Sequence, residues 1–249
     1  MEPSIPVAPA GEPPSLVGLI ASATLDAELA ALVWLLVEGG IPLVVAAPPD
    51  RIGAGGQLVA GIMASVRPGV PADEPDRPLG PTAARKLVRG TRAGGVVAAG
   101  SLEEVFGVLG GGPLPLSSDE LTFLGCVLIL GSADDAARPG PAGRLRVRAA
   151  HYIRPLARDA GGHSQRLGPA VLAVWDDRLA RYEHFAWGVL PEIATRLGRR
   201  AGDLDRDLHH RRDDLASLAA AGVTSLVEVR RLIAGYQAGY AQAHEAPTN

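Results

Sequence analysis

The segment IPLVVAAPPDRIGAGGQLVAGIMASV, Ile41 to Val66, sets β-branched and small apolar residues ahead of prolines and closely spaced glycines, and then an apolar-periodic run. Strand, glycine loop and helix in that order can cradle phosphate. In the pattern G-x-x-x-x-G-K-[ST], backbone N–H groups and a helix N-terminus surround the anion, the lysine reaches the β- and γ-phosphates, and the hydroxyl holds Mg²⁺. The nearest fit is Gly53-Ala54-Gly55-Gly56-Gln57-Leu58. Gly56 occupies the lysine position and Gln57 the hydroxyl position, while the first glycine of the spacing falls on Asp50, whose carboxylate repels phosphate. Arg51 is the nearest cation, and Lys86, the sole lysine, lies far downstream. Gly53, Gly55, Gly56 and Gln57 are therefore candidate cofactor-binding residues, as a degenerate phosphate loop that holds an anion weakly. The plainer reading is a turn between strand and helix.

Other chemistry-bearing residues give less. Glu103 and Glu104 follow Ser101 as the S-x-x-E pattern of a capping box, which explains both carboxylates by helix capping and the helix dipole. His209 and His210 are adjacent, whereas two metal ligands on one helix face need i, i+4 spacing. His163 follows Gly161-Gly162 without a recognisable nucleophile or carboxylate in attendance. Cys126, in FLGCVLIL, is a lone thiol in an apolar run, so it reads as structural; it allows neither an intramolecular disulfide nor a cysteine-based zinc cluster. No catalytic residue and no metal ligand is expected.

The elements that must position these residues follow from composition and period. With 249 residues, 47% hydrophobic and 20% charged, the chain can bury a sizeable core. A net charge of −3 argues against a generally nucleic-acid-binding surface. The acidic, proline-rich opening lacks the basic and apolar regions of a leader peptide, and the apolar runs fall short of the roughly 18 to 20 residues that span a bilayer. A cytoplasmic protein is expected.

Leu25, Leu29, Leu32, Val33 and Leu36 share a helix face, with Thr24 as N-cap and Gly39 as stop. Leu43–Ala47 reads as a buried strand and Gln57–Val66 as a helix, separated by the glycine loop. The five prolines of Arg67–Pro81 predict a long surface connection. A short helix at Thr82–Arg89 precedes a strand at Gly95–Ala99 and a helix capped by Ser101. Phe123–Leu130, apolar throughout, reads as a central strand covered on both faces. RLRVRAAHYI alternates as a half-buried strand, and AVLAVWDDRLARYEHFA reads as two strands about a turn at Asp176-Asp177. Beyond Ala186 the pattern is helical: Leu190–Leu197, Leu204–Ala220 closed by Gly222, and Ser225–Ala243 opened by Ser225 with Glu228. The fold class is α/β.

LDAELAALVWLLVEGGIPLVVAAPP with its glycine-rich turn and helix resembles the secretion-type hexameric ATPases of type II and type IV secretion, type IV and Tad pili, and archaella. GRLRVRAAHYIRPLARD and AVLAVWDDRLARYEHFA are similar to the strands those ATPases place after their catalytic core. The stretch from Glu192 to Tyr236 is similar to their closing helices. The resemblance implies a degenerate RecA-like α/β core at 16–186 and a C-terminal helical subdomain at 187–243; the proline-rich stretch 1–15 reads from its composition as a disordered tail, and 244–249 is expected to be disordered as well. It departs from the family at each nucleotide-site element. The P-loop lysine and hydroxyl are replaced. Gly95–Ala99, in the place of the Walker B strand, runs into Gly100-Ser101 without a carboxylate, and GGGPLPLSSDELTF stands in the histidine segment's place without a histidine. The acidic segment is not intact, and the family's N-terminal recruitment domain is not seen ahead of the first helix.

The expectation is a catalytically inactive member, a scaffold or regulator working by protein contact. Its partners would be copies of itself or an intact secretion ATPase at a membrane machine, with no cofactor, ATP being held weakly or not at all. The alternatives are a working ATPase that uses arginine in place of the lysine, and a DNA-binding regulator using AAAGVTSLVEVRRL as turn and recognition helix. For the last, arginines and carboxylates between Arg196 and Arg231 nearly balance, which is thin for DNA.

Overall fold

The computed structural model describes residues 12–70, 77–90, 93–112, 115–133, 145–158 and 163–245. The chain is a mixed α/β protein built on a six-stranded sheet whose strands lie in the order β2 (Gly94–Ala98), β1 (Leu43–Ala47), β3 (Cys126–Ser132), β4 (Leu145–Tyr152), β7 (Ala170–Asp176), β8 (Arg181–His184). Three strands are parallel: β1, flanked by β2 and β3. The other half is an antiparallel run of β4, β7 and β8. A separate two-stranded ribbon pairs β5 (Ala157–Arg158) with β6 (Ser164–Gln165).

Helices cover the two faces unequally. Against one face lie α1 (Leu16–Ala21), α2 (Ala27–Glu38), α3 (Ile52–Val66), α7 (Leu190–Arg196), α8 (Ala201–Ala220) and α9 (Leu226–Glu245), whose apolar residues join a single cluster with Leu43, Val45, Leu128, Val147, Tyr152 and Leu172. Against the other lie α4 (Pro81–Val88), α5 (Leu102–Gly111) and α6 (Ser118–Leu121), packed on Val44, Ala46, Val127 and Ile129. That second layer reaches Ala149 of β4 and Ile153 just after it, but its apolar cluster includes no residue of β7 or β8. Strand β1 is buried at all five positions because helices cover both of its faces, which is why it reads as an unbroken apolar run.

Most expected elements are present, with several corrections. Asp26, not Thr24, caps α2, its carboxylate accepting the Leu29 N–H at 2.9 Å, and Gly39 ends that helix as expected. The central strand starts at Cys126 instead of Phe123: Gly125 takes a left-handed φ of +75°, where a side chain would strike the Pro42 carbonyl, and Phe123 is left exposed. The connection from Arg67 to Pro81 is not purely superficial, since Leu79 is buried over Gly95 and donates its N–H to the Val96 carbonyl at 2.7 Å; positions 71–76 lie outside the described residues. Helix α1 was not expected at all. Ser15, within the tail read as disordered, is buried; its hydroxyl accepts the Gly18 N–H and donates to the Thr224 carbonyl at 2.7 Å. Positions 1–11 and 246–249 lie outside the described residues, and α9 runs two residues past Ala243. The closing helices share the apolar cluster of α1–α3. Among the described residues no helix is long and apolar enough to cross a membrane.

Candidate functional site

The site flagged by the glycines lies at the carboxyl end of β1, where the chain goes to β2 on one side while β3 arrives on the other. In open α/β sheets that reversal leaves a crevice for ligands. The local geometry runs against a phosphate loop. Pro48 to Arg51 forms the whole turn, with Pro49–Arg51 as one 3-10 turn, and α3 has already begun at Ile52. Gly53, Gly55, Gly56 and Gln57 are therefore inside the helix, not in a loop before it, which corrects both the expected helix start and the expected turn. Proline at the head of the turn explains the early start, since its fixed φ is preset for helical geometry.

Two glycines of α3, Gly55 and Gly61, have a packing explanation. A Cβ on Gly55 would lie 2.8 Å from Val96 Cγ2 and 2.9 Å from Ala47 Cβ, so its absence lets α3 sit down on β1 and β2. Gly61 does the same against the Pro14 carbonyl, at 2.0 Å. No side chain caps α3, so its first N–H groups lack an intrahelical partner, but the neighbouring charges cancel: Arg51 Nε pairs with Asp50 Oδ2 at 3.2 Å. At the end of β2, Ser101 caps α5 by accepting the Glu104 N–H at 3.2 Å, and the Glu104 carboxylate reaches back to the Gly100 N–H at 2.7 Å. Glu104 is thus engaged as a cap. Lys86 lies on α4, in the opposite helical layer from α3.

Cys126 is fully buried, and burial pushes its thiol up to about 12, so it carries no reactive thiolate. His209 Nδ1 lies 2.8 Å from the Asp205 carbonyl on its own helix, and His163 is exposed. Among the described residues no group of three His, Cys, Asp or Glu is placed to hold a metal ion.

Two constellations were not anticipated. The first is a cleft of about 370 Å³ between α5, α6 and the segment before β7, walled by Phe106, Leu121, Ile153 and Leu167, with Arg154 and Arg166 at its rim. Each arginine is already paired, Arg154 with Glu192 and Arg166 with Asp119, both at 2.7 Å, so the cleft offers an apolar wall more than a cationic one.

The second is a seam of buried charge where α8 and α9 meet α2. Arg211 is fully buried, grips Asp207 with Nε at 2.9 Å and Nη2 at 3.1 Å, and donates to Glu38 at 2.6 Å. Its guanidinium lies over the Trp34 ring at 4.3 Å, with Tyr236 at 5.1 Å on the same group. Asp207 also accepts from Arg199 and from the Tyr236 hydroxyl, each at 2.7 Å, and Glu38 accepts from Trp34 Nε1 at 2.7 Å and from Gln237 at 3.0 Å. Burial pushes the Asp207 carboxyl up, but the bonds from Arg211 and Tyr236 outweigh it and hold the group below its ordinary value. The spacing carried a signal: Leu204, Leu208, Arg211 and Leu215 stand at i, i+4, i+7 and i+11, so Arg211 falls on the apolar stripe with Asp207 one turn before it. This arrangement holds helices in register; it presents no acid, base or nucleophile to a substrate.

No protein-family model matches the chain, and no curated protein matches it.

Proposed function

We propose that the chain is a non-catalytic relative of the secretion-type ATPases, with a degenerate RecA-like core, that works as scaffold or regulator of a secretion or pilus-type assembly through protein contacts. The resemblance of its strands and closing helices supplies the family. The observation that carries the non-catalytic reading is that Gly55 is occupied in seating α3 on the sheet, inside a helix whose neighbouring Arg51 is paired with Asp50. A helix already closed at Ile52 leaves the amides of Gly56 and Gln57 bonded within the helix instead of turned toward an anion.

A nucleotide-binding ATPase relying on Arg51 is less well supported, because Asp50 sits against that guanidinium. The DNA-binding reading has its recognition helix in α9, where Val229 and Ile233 are buried in the shared core. The test is calorimetry with Mg·ATP. No measurable heat is expected from the wild-type chain and no hydrolysis from Gly56→Lys combined with Gln57→Thr. Low-micromolar affinity, or turnover lost on Arg51→Ala, would defeat the reading.

A further inference from the structure

Strand β8 ends the antiparallel half of the sheet, and the apolar cluster of the second helical layer includes none of its residues. The Phe185 N–H points inward, donating to the Leu172 carbonyl at 2.8 Å. Backbone direction alternates along a strand, so the amides of Glu183 and Arg181 point inward too, and those of Tyr182 and His184 face outward. Among the described residues no backbone hydrogen bond reaches that outer edge.

Side chains alternate as well. Tyr182 and His184 turn to the covered face: the Tyr182 hydroxyl contacts the carbonyls of Thr24 and Val147, and His184 pairs with Asp26 at 2.8 Å. Arg181 and Glu183 accordingly share the open face, both exposed, and among the described residues neither has an ion-pair partner. Apolar side chains flank them: Leu179 is 53% exposed, Phe185 41% and Trp187 75%.

The order Leu179, Arg181, Tyr182, Glu183, Phe185 is a chemical palindrome about Tyr182. In an antiparallel pair with a two-fold axis at Tyr182, Arg181 stands opposite Glu183 of a second copy and Glu183 opposite its Arg181, while Leu179 and Phe185, just beyond the ends of the strand, flank the pairing. Opposite charges directly across a strand pair attract and like charges repel. Sliding the register by two residues sets Arg181 against Arg181 or Glu183 against Glu183, and sliding it by one puts every side chain on the wrong face. The same axis makes Tyr182 a hydrogen-bonded pair, closing the outward N–H and C=O groups. This edge carries both signs, spaced to complement itself.

We propose that β8 is a self-recognition edge, pairing two copies of this chain about Tyr182 so that their sheets run on as one. The proposal rests on the reading that the chain works through protein contacts, and names the partner as a second copy. An isologous contact of this kind is the commonest route to a closed dimer, and so short an edge makes it a transient one.

Sedimentation velocity of the full chain across a concentration series at low salt tests it. The wild type should form dimers, and Arg181→Glu or Glu183→Arg alone should weaken them by about tenfold or more, since each reversal turns two attractive pairs into two repulsive ones. Mixing the two single variants should restore dimers, because every facing pair is then attractive again. The double variant Arg181→Glu with Glu183→Arg should dimerise by itself for the same reason. A wild type that stays monomeric throughout, or dimers indifferent to both reversals, would overturn the proposal. Either result would leave the Mg·ATP titration, which tests the non-catalytic reading separately, untouched.

Discussion

The β1–α3 junction has the outline of a binding motif and little charge; the seam between α2, α8 and α9 has no motif and most of the buried charge. At the junction, glycines let a helix lie against a sheet, and the one ion pair, Asp50 with Arg51, is exposed. At the seam, Arg211, Asp207 and Glu38 join segments that are more than a hundred and fifty positions apart in the chain. The contrast teaches that glycine spacing and buried charge are each ambiguous until their neighbours are known. Apolar packing holds α8 near α2 in many registers, but a bidentate Arg211–Asp207 pair that also reaches Glu38 fits one.

Breaking the seam should cost most. Arg211→Ala leaves Asp207 buried and Glu38 half-buried without their shared cation, and should destabilise the fold by about 3 to 5 kcal/mol in equilibrium urea unfolding. Because the Asp207 pKa is depressed, its stabilisation is present above the unfolded carboxyl value and is lost as pH falls through the folded one, so the wild type should lose stability in acid more steeply than Arg211→Ala.

Ser15→Ala should cost about 1 to 2 kcal/mol, because it removes the α1 N-cap and the bond to the Thr224 carbonyl that ties α1 to the α8–α9 turn. Far-ultraviolet melting curves can check it. A loss confined to a few tenths would mean that the Ser15 cap and its bond to Thr224 contribute little to seating α1.

A subtler shift is expected at the other end of α2. Burial pushes His184 down, yet the Asp26 hydrogen bond and the Asp26 and Glu28 charges outweigh it and raise its pKa above the ordinary 6.5. A raised folded value means the stabilisation is fully present below 6.5 and is lost as pH climbs through the folded value. Asp26→Asn keeps an N-cap but removes the charge, so the decline in stability above 6.5 should flatten in that variant.

How much of this was legible follows the physics of each signal. Strand β1 and helices α2, α4, α5 and α8 were readable because their apolar period or their caps are local. Gly125 ended the readability of β3 at its start, since it takes a left-handed φ where a side chain would strike the Pro42 carbonyl, a contact between distant positions. Helix α1 was unreadable because six residues carry too little period and its cap bonds to Thr224. The α3 glycines were misplaced for a related reason: glycine spacing looks the same whether it frees a loop or lets a helix approach a sheet. Of the seam, only the i, i+4 spacing of Asp207 and Arg211 was visible, and Glu38 was not.

The central claim is that Gly55, inside α3, is there for close packing against the sheet. Gly55→Ala decides it by sign, measured as the urea midpoint of unfolding. Alanine in an unobstructed helix position stabilises by up to about 1 kcal/mol. Against Val96 Cγ2 at 2.8 Å and Ala47 Cβ at 2.9 Å, overpacking should reverse that gain and leave a net loss of about 1 kcal/mol or more. A lower midpoint is the result predicted here. A higher one would mean that Gly55 faces open space and is free to approach a ligand after all.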